Sequence, residues 1–403
     1  MFDQFDREME KRGLDTVLVI GESTLGNPEL AYVAGTVIPR GGIFIKRRSR
    51  RPLLVVSNID VGSAKRGRVQ GIRTYDDYGY QRLMERHGRE RGYIMLIDMI
   101  LRSVRARGKI SIYGHNEFSH LLSVADSLRR IGYKVSGERE QSLLESLRET
   151  KDSNEIDGIR SLGARAARVV DATLEMLREC MISSGKLKWK RNTLTVGMVK
   201  SRINMLLAGQ ELMAPEGTVF AVGPSSADPH AMGTAASPVR AGSPIVFDLF
   251  PVGIEGYWFD LTRTVVVGKA PRRVKKMFDA VLEVQLRSLD LVRADVPARD
   301  VMNSACDQFE RCGFKTIRRT LRGDREAAKV GFIHSLGHGV GLTIGERPYL
   351  SLFSDDTLRK NQIVTVEPGL YQPGVGGVRI EDTVLVKGRR VSNLTPLEKE
   401  LEI

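Results

Sequence analysis

Cysteine is scarce in this chain, with three in 403 residues (Cys180, Cys306 and Cys312) and no paired spacing. That excludes a disulfide-built scaffold and the repeated thiol pairs of a structural zinc site, and it is read as reduced thiols in a cytoplasmic protein. Long apolar runs are missing as well. No stretch approaches the roughly 20 residues a bilayer-spanning helix needs, so no membrane partner is expected. The opening MFDQFDREMEKRG is acidic and polar where a secretory signal would be basic and then apolar. Aromatic residues make up 6% of the chain, and none interleaves its basic run as single-strand nucleic-acid binding would require.

Positive charge is abundant. The formal net charge is +13, densest in KRRSRR from Lys46 to Arg51. Charge of that size can announce a nucleic-acid partner. The run, however, lies between GGIFI and PLLVV and reads as the solvated turn of a hairpin. The other basic residues are dispersed among Glu and Asp, so nucleic acid is not expected.

A chain of this length exceeds one ordinary core, and two domains are expected, residues 1–147 and 148–403. The first alternates strand-like runs (TVLVI, GGIFIKR, RPLLVV, KISIYG, YKVSG) with helical patterns (YIMLIDMILRSVRARG, EFSHLLSVADSLRRIG), an α/β layer pattern without a Gly-rich phosphate loop. His115 and His120 stand alone there and read as structural or solvated. Asp152 or Ser153 caps a long amphipathic helix at the boundary. Further helices are expected at Leu194–Ala208, Arg272–Val292 and Arg299–Cys312.

The second domain carries five metal-type ligands in the order Asp248, Asp260, His338, Glu367, Glu381. Each lies in a stretch of β-branched residues, Gly and Pro. PIVFDLF and GYWFDLTRT read as two arms of one hairpin, and IVTVEPGLY with VRIEDTVLV as two arms of another, turning at Gly374, Gly376 and Gly377. HSLGHGVGL places His338 among glycines, where backbone can approach an ion. Any one of these residues alone has a bland reading as an edge, turn or structural group. The ordered set is more specific, because four converging carboxylates need cations if they are to stay ionised.

GPSSADPHA, GYWFDLTRT, GHGVGL, TVEPGLY and RIED together resemble the pita-bread metallopeptidases over roughly residues 150–390, and the long N-terminal region resembles the creatinase and prolidase branch. The resemblance implies an α/β N-terminal domain (creatinase/prolidase-like) plus an α+β C-terminal pita-bread domain, and a peptidase for the Xaa-Pro bond of dipeptides or short peptides. It implies two divalent ions, Mn or Co first, with Fe or Zn compatible with a carboxylate-rich shell. Asp248 would hold one ion, Asp260 and Glu381 would bridge, and His338 with Glu367 would complete the other. Glu367 would also accept a proton, and His230 would contact the scissile amide. Thr262, His334 and Arg379 would brace the carboxylates or reach substrate. A homodimer is implied in the same way.

Two departures stand out. Asp248 and Asp260 lie one residue further apart than in relatives, which a longer loop or bulge absorbs. More seriously, GLTIGERP carries Gly345 where relatives place a His that reaches the substrate carbonyl. One lost donor to a developing charge costs on the order of 10²–10³ in rate. Arg347 or His334 could serve instead, or the substrate could be another amide or amidine, or the protein could be a weakly active or inactive peptide-binding homologue.

Overall fold

Six short strands of the first unit assemble around β1 (Thr16–Gly21), which is buried at every position. They are β1, β2 (Gly42–Arg47), β3 (Leu53–Val56), β4 (Gly71–Thr74), β5 (Lys109–Tyr113) and β6 (Lys134–Val135), in the spatial order β4-β3-β2-β1-β5-β6. β2 is antiparallel to both β1 and β3, while the β3–β4, β1–β5 and β5–β6 pairs are parallel. Five of the strands coincide with the apolar runs of the sequence. β4, GIRT, escapes notice because it is short, begins with Gly and is only partly buried.

The computed structural model describes residues 2–403 and divides into two units, one ending at Arg148 and the other running from Glu149 to Ile403. The basic run does form the β2–β3 turn, with Ser49 at φ 58°. Its solvated reading fails at one position. Lys46 is 0% exposed, and its Nζ donates to Asp6 at 2.5 Å and to the Arg47 carbonyl at 3.2 Å. Strand alternation turns this side chain inward, where a carboxylate from helix Phe2–Lys11 neutralises it.

In the second unit, helix Ser153–Arg178 starts at a reciprocal capping box. The Asp152 side chain accepts from the Glu155 N–H, and the Glu155 side chain accepts from the Asp152 N–H. Helices Val196–Gly209, Arg272–Leu291 and Ala298–Arg311 bury their apolar faces against two antiparallel sheets. One sheet orders Val219–Val222, Ile245–Leu249 and Leu261–Val265. The other orders Ile344–Leu350, Gly337–Val340, Ile363–Val366, Asp382–Val386 and Val391–Asn393. They are joined by a bridge between Thr262 and Glu381, where the Glu381 N–H donates to the Thr262 carbonyl at 3.1 Å.

The expected last hairpin is two nested hairpins. Ile363–Val366 pairs with Asp382–Val386, while Gly369–Gln372 pairs with Gly376–Arg379 in a separate sheet. Pro368, lacking an N–H, interrupts the ladder between them. The break leaves Glu367 and Glu381 at the ends of the outer pair.

Behind the seam of the two sheets lies a buried ion pair. Arg263 is 2% exposed and Asp382 0%, and Nη2 donates to Oδ1 at 2.9 Å. Arg263 also donates to the carbonyls of Thr262, Glu381, Leu397 and Glu398. Asp382 also accepts from Gln285, Asn393 and Lys399. Burial alone would raise the Asp382 pKa, but Arg263 and Lys399 outweigh it and hold the group below the usual carboxylate range.

Arg263→Met is expected to cost about 3–5 kcal/mol, read by denaturant unfolding, because it strands a buried carboxylate. Because the folded-state pKa of Asp382 lies below its unfolded value, its contribution is present above about pH 4 and is lost as pH falls further. The stability of Asp382→Asn is therefore expected to fall less steeply in acid than that of the parent. An equal slope would remove Asp382 from the acid response.

Candidate metal centre

Asp260, His338 and Glu381 each present a ligand atom within 4.8 Å of the others. His338 Nε2 also lies 3.6 Å from Asp260 Oδ2 and 3.5 Å from Glu367 Oε1. Strand pairing explains the convergence. Asp260 directly precedes strand Leu261–Val265 and Glu381 directly precedes Asp382–Val386, so both carboxylates project where the sheets meet. His338 lies on the neighbouring strand Gly337–Val340, and the Glu367 N–H is tied back to the Leu336 carbonyl at 2.8 Å.

The imidazole is oriented from behind. Nδ1 of His338 faces the Gly339 carbonyl at 3.1 Å, and a carbonyl only accepts, so Nδ1 donates there and Nε2 is the ring nitrogen turned to the carboxylates. Thr365 links two ligands, because its hydroxyl accepts from the His338 N–H at 3.0 Å and donates to Glu367 Oε1 at 3.3 Å. The Thr262 hydroxyl donates to Glu381 Oε2 at 2.7 Å and accepts from Arg379 Nε at 3.2 Å.

Asp248, in strand Ile245–Leu249 opposite Thr262, stands outside the closest three-ligand group. One of its oxygens, Oδ2, accepts from Arg379 Nη2 at 2.5 Å. The other, Oδ1, is buried without a partner, as is Glu381 Oε1. Clustered carboxylates, with two of their oxygens orphaned, form beside the imidazole a set of acceptors with too few donors. A divalent cation is what such a set fits. Burial, and then the charges of Glu381, Asp248 and Glu367, push Asp260 well above the usual carboxylate range. Glu381 is raised by burial and then by Glu367 and Asp248. Burial pushes Glu367 up to about 7, with Arg379 opposing and Asp248 adding.

Arg379 extends the network toward His334. Its Nη1 donates to the Tyr371 hydroxyl at 2.7 Å. That hydroxyl donates to His334 Nε2 at 3.0 Å, because His334 Nδ1 donates to the Ser335 carbonyl at 2.7 Å. Burial, with the positive charge of Arg379, drives the His334 pKa down to about 3, and His230 and His338 act in the same direction. His334 is therefore a neutral brace. Gly369 makes room for the contact, since a Cβ there would meet the Tyr371 hydroxyl at 2.6 Å.

His230 is exposed on its turn. Its N–H donates to Asp228 at 2.9 Å, and the preceding Pro229 carbonyl accepts from Arg379 Nη1 at 3.4 Å. Sequence reasoning did not single out Tyr371, Thr365 or the Arg263–Asp382 pair. Tyr371 lies inside the motif TVEPGLY, and a charged residue within the strand LTRTV was the available signal for Arg263. Replacing Thr262 with Val keeps the shape of the side chain but removes its hydrogen bond to Glu381. It is expected to weaken divalent-metal affinity by about 10–100-fold in calorimetric titration, with the fold retained.

The description Metallopeptidase family M24 matches residues 157–388. A relative from Pyrococcus furiosus named Xaa-Pro dipeptidase is 28% identical over 306 residues, covering 74% of this chain and 82% of its own. A Pyrococcus horikoshii protein of the same name is 34% identical over 184 residues, 46% of this chain and 48% of its own. The solved structure titled Xaa-Pro dipeptidase from Bacillus anthracis aligns with a TM-score of 0.76 at 23% identity, covering 100% of this chain and 99% of that one. That likeness shows the fold, an α/β unit followed by a pita-bread unit. Asp248, Asp260, His338, Glu367 and Glu381 all fall inside a family match that spans more than half of the sequence, and the chain belongs to metallopeptidase family M24.

Proposed function

We propose that the protein is a dinuclear metal-dependent peptidase that hydrolyses the Xaa-Pro bond of dipeptides or short peptides. The observation that carries this is His338 Nε2 facing Asp260 and Glu367 beside the orphaned oxygens of Asp248 and Glu381. Asp248 would hold one ion, Asp260 and Glu381 would bridge, and His338 with Glu367 would complete the ligand set of the other. Two divalent ions, Mn²⁺ or Co²⁺ first and Fe²⁺ or Zn²⁺ compatible, would supply Lewis-acid polarisation of the scissile carbonyl and acidify the attacking water. The specificity for proline rests on the names of the two Pyrococcus relatives.

The residues of the chain divide the remaining work. Glu367, with its side chain 16% exposed against 12% for Asp248 and 8% for Asp260, is the candidate ligand carboxylate most open to water, and in this reading it accepts and returns the proton. Arg379 holds Asp248 and, through Thr262, Glu381, so two ligand carboxylates share one brace. His230, on the exposed turn beside Arg379, would contact the scissile amide. A homodimer and a cytoplasmic location accompany the reading, the latter supported by three free cysteines. Among the described residues no helix is long and apolar enough to cross a membrane.

Gly345 favours a second reading, an amide or amidine hydrolase with a different demand on the site or a weakly active peptide binder. Arg347 is held by Asp356 at 2.6 Å and His334 is locked by Tyr371 and Ser335, so neither is poised as the missing donor. Gly345 has φ 74°, and a Cβ there would meet nothing within 4 Å. A Cβ at this position thus meets no clash, and a non-glycine residue would cost about 1–2 kcal/mol in backbone strain.

Metal analysis of the gently purified protein is expected to give about two ions per chain, with Xaa-Pro dipeptides and tripeptides cleaved after Mn²⁺ or Co²⁺ is restored. Metal without cleavage would move the assignment to the second reading. Glu367→Gln should lower kcat by about 10²-fold or more. If the missing donor limits the rate, Gly345→His raises Xaa-Pro hydrolysis, by up to about 10²-fold, and an unchanged rate would sink that account.

A further inference from the structure

The first unit carries a cavity of about 810 Å³, lined by residues that follow its strands. Glu22 stands just past β1, Ser57 past β3, Tyr75 past β4 and Asn116 beyond β5, while Arg40 leads into the antiparallel β2. All these strand ends therefore share one edge of the sheet. From β1 the chain builds outward through β2, β3 and β4, then crosses to β5 and β6 on the opposite side, which makes the β1–β5 boundary a topological switch point. In open α/β sheets, ligands bind in the crevice outside the carboxyl ends of strands at such a switch.

The tyrosines that line it differ from the others of this unit in the bonding of their hydroxyls. Tyr32, Tyr78, Tyr113 and Tyr133 of this unit bond through their hydroxyls to the Leu147 carbonyl, Ser103, Glu138 and Asp98. The hydroxyls of Tyr75, Tyr80 and Tyr93, which line the cavity, have no hydrogen-bond partner among the described residues. Tyr80 is 36% exposed and Tyr75 and Tyr93 are half-buried, so the three hydroxyls open onto the cavity as donors that a ligand can use. Burial raises the pKa of Tyr75 and Tyr93, so both remain neutral donors. Their rings form flat walls, with Tyr75 against Tyr80 at a centroid separation of 5.7 Å and Tyr93 against His120 at 5.8 Å. At the rim, Glu22, Glu90, Arg40 and Arg89 are exposed and make no ion pair among the described residues.

We propose that this cavity is a second binding site, for a short zwitterionic peptide with an aromatic side chain. Glu22 and Glu90 answer its ammonium, Arg40 and Arg89 its carboxylate, the rings its side chain and the tyrosine hydroxyls its peptide carbonyl. A phosphate-bearing ligand would be opposed by the two carboxylates, and a neutral one would leave all four charges idle. The volume lies within the range of about 300–1,000 Å³ common for small-molecule sites. The inference is independent of the reaction assigned to the metal centre.

The test is calorimetric titration of the full chain, in chelator, with glycyl-L-phenylalanine. One saturable site per chain is expected, unchanged in Asp260→Asn. Arg89→Ala and the ring-preserving Tyr93→Phe should each weaken it, with Arg89→Ala costing about tenfold or more, since a hydrogen bond to a charged group is at stake. Blocking both termini of the peptide should weaken binding at least as much. No binding at millimolar peptide would overturn the proposal. So would binding lost in Asp260→Asn but unmoved by Arg89→Ala and Tyr93→Phe, which would put the peptide at the metal centre.

Discussion

The second unit depends on one buried ion pair. Arg263 and Asp382 are each nearly inaccessible, and between them they engage both sheets, helix Arg272–Leu291, strand Val391–Asn393 and the C-terminal segment around Lys399. A guanidinium out of water is tolerable only when its donors are occupied, and four backbone carbonyls plus one carboxylate do this for Arg263. One of those carbonyls belongs to Glu381, so the group that locks the seam also fixes the backbone of a ligand. The candidate metal centre is built on the inner side of the same seam.

Charge is organised differently on that inner side. The carboxylates face one another with few donors, and their repulsion is contained by a single guanidinium. Arg379 reaches Asp248 directly, Glu381 through Thr262, and His334 through Tyr371. Arg263 and Asp382 have their donors and acceptors occupied, with Gln285 Oε1 the orphan beside them, and read as scaffold, whereas the inner cluster holds more acceptors than donors and reads as function. This contrast in hydrogen-bond satisfaction distinguishes the two clusters more clearly than burial does, since both are buried.

Much of this was legible in the sequence. The five candidate ligands stood out because each places a carboxylate or imidazole in a short segment rich in apolar residues, Gly or Pro, and the structure brings Asp260, His338 and Glu381 together with Glu367 beside them. The helix starting at Asp152 was legible from its cap, and the strands of the first unit from their apolar runs. Other features depended on long-range pairing. Nothing local to LTRTV shows that Arg263 meets Asp382 rather than solvent. Nothing in KRRSRR shows that Lys46 alone turns inward to Asp6. The nesting of the last hairpins turned on Pro368, whose missing N–H breaks the ladder within what reads as one continuous strand. In the same way Tyr371 could be seen in its motif, but its role as the link between Arg379 and His334 could not.

Strand Leu261–Val265 serves both networks through its alternation. Thr262 and Thr264 face the ligand side, where Thr262 bonds Glu381 and Thr264 exchanges hydrogen bonds with the Arg379 backbone, while Arg263 faces the scaffold. A slip of one residue would send a guanidinium into the ligand cluster and a threonine into the place of Arg263. Neither network would then close. Pairing errors that an ordinary apolar strand could survive as a loosely packed alternative are here penalised on both faces at once, so this short segment acts as a proofreading element for the assembly of the two sheets.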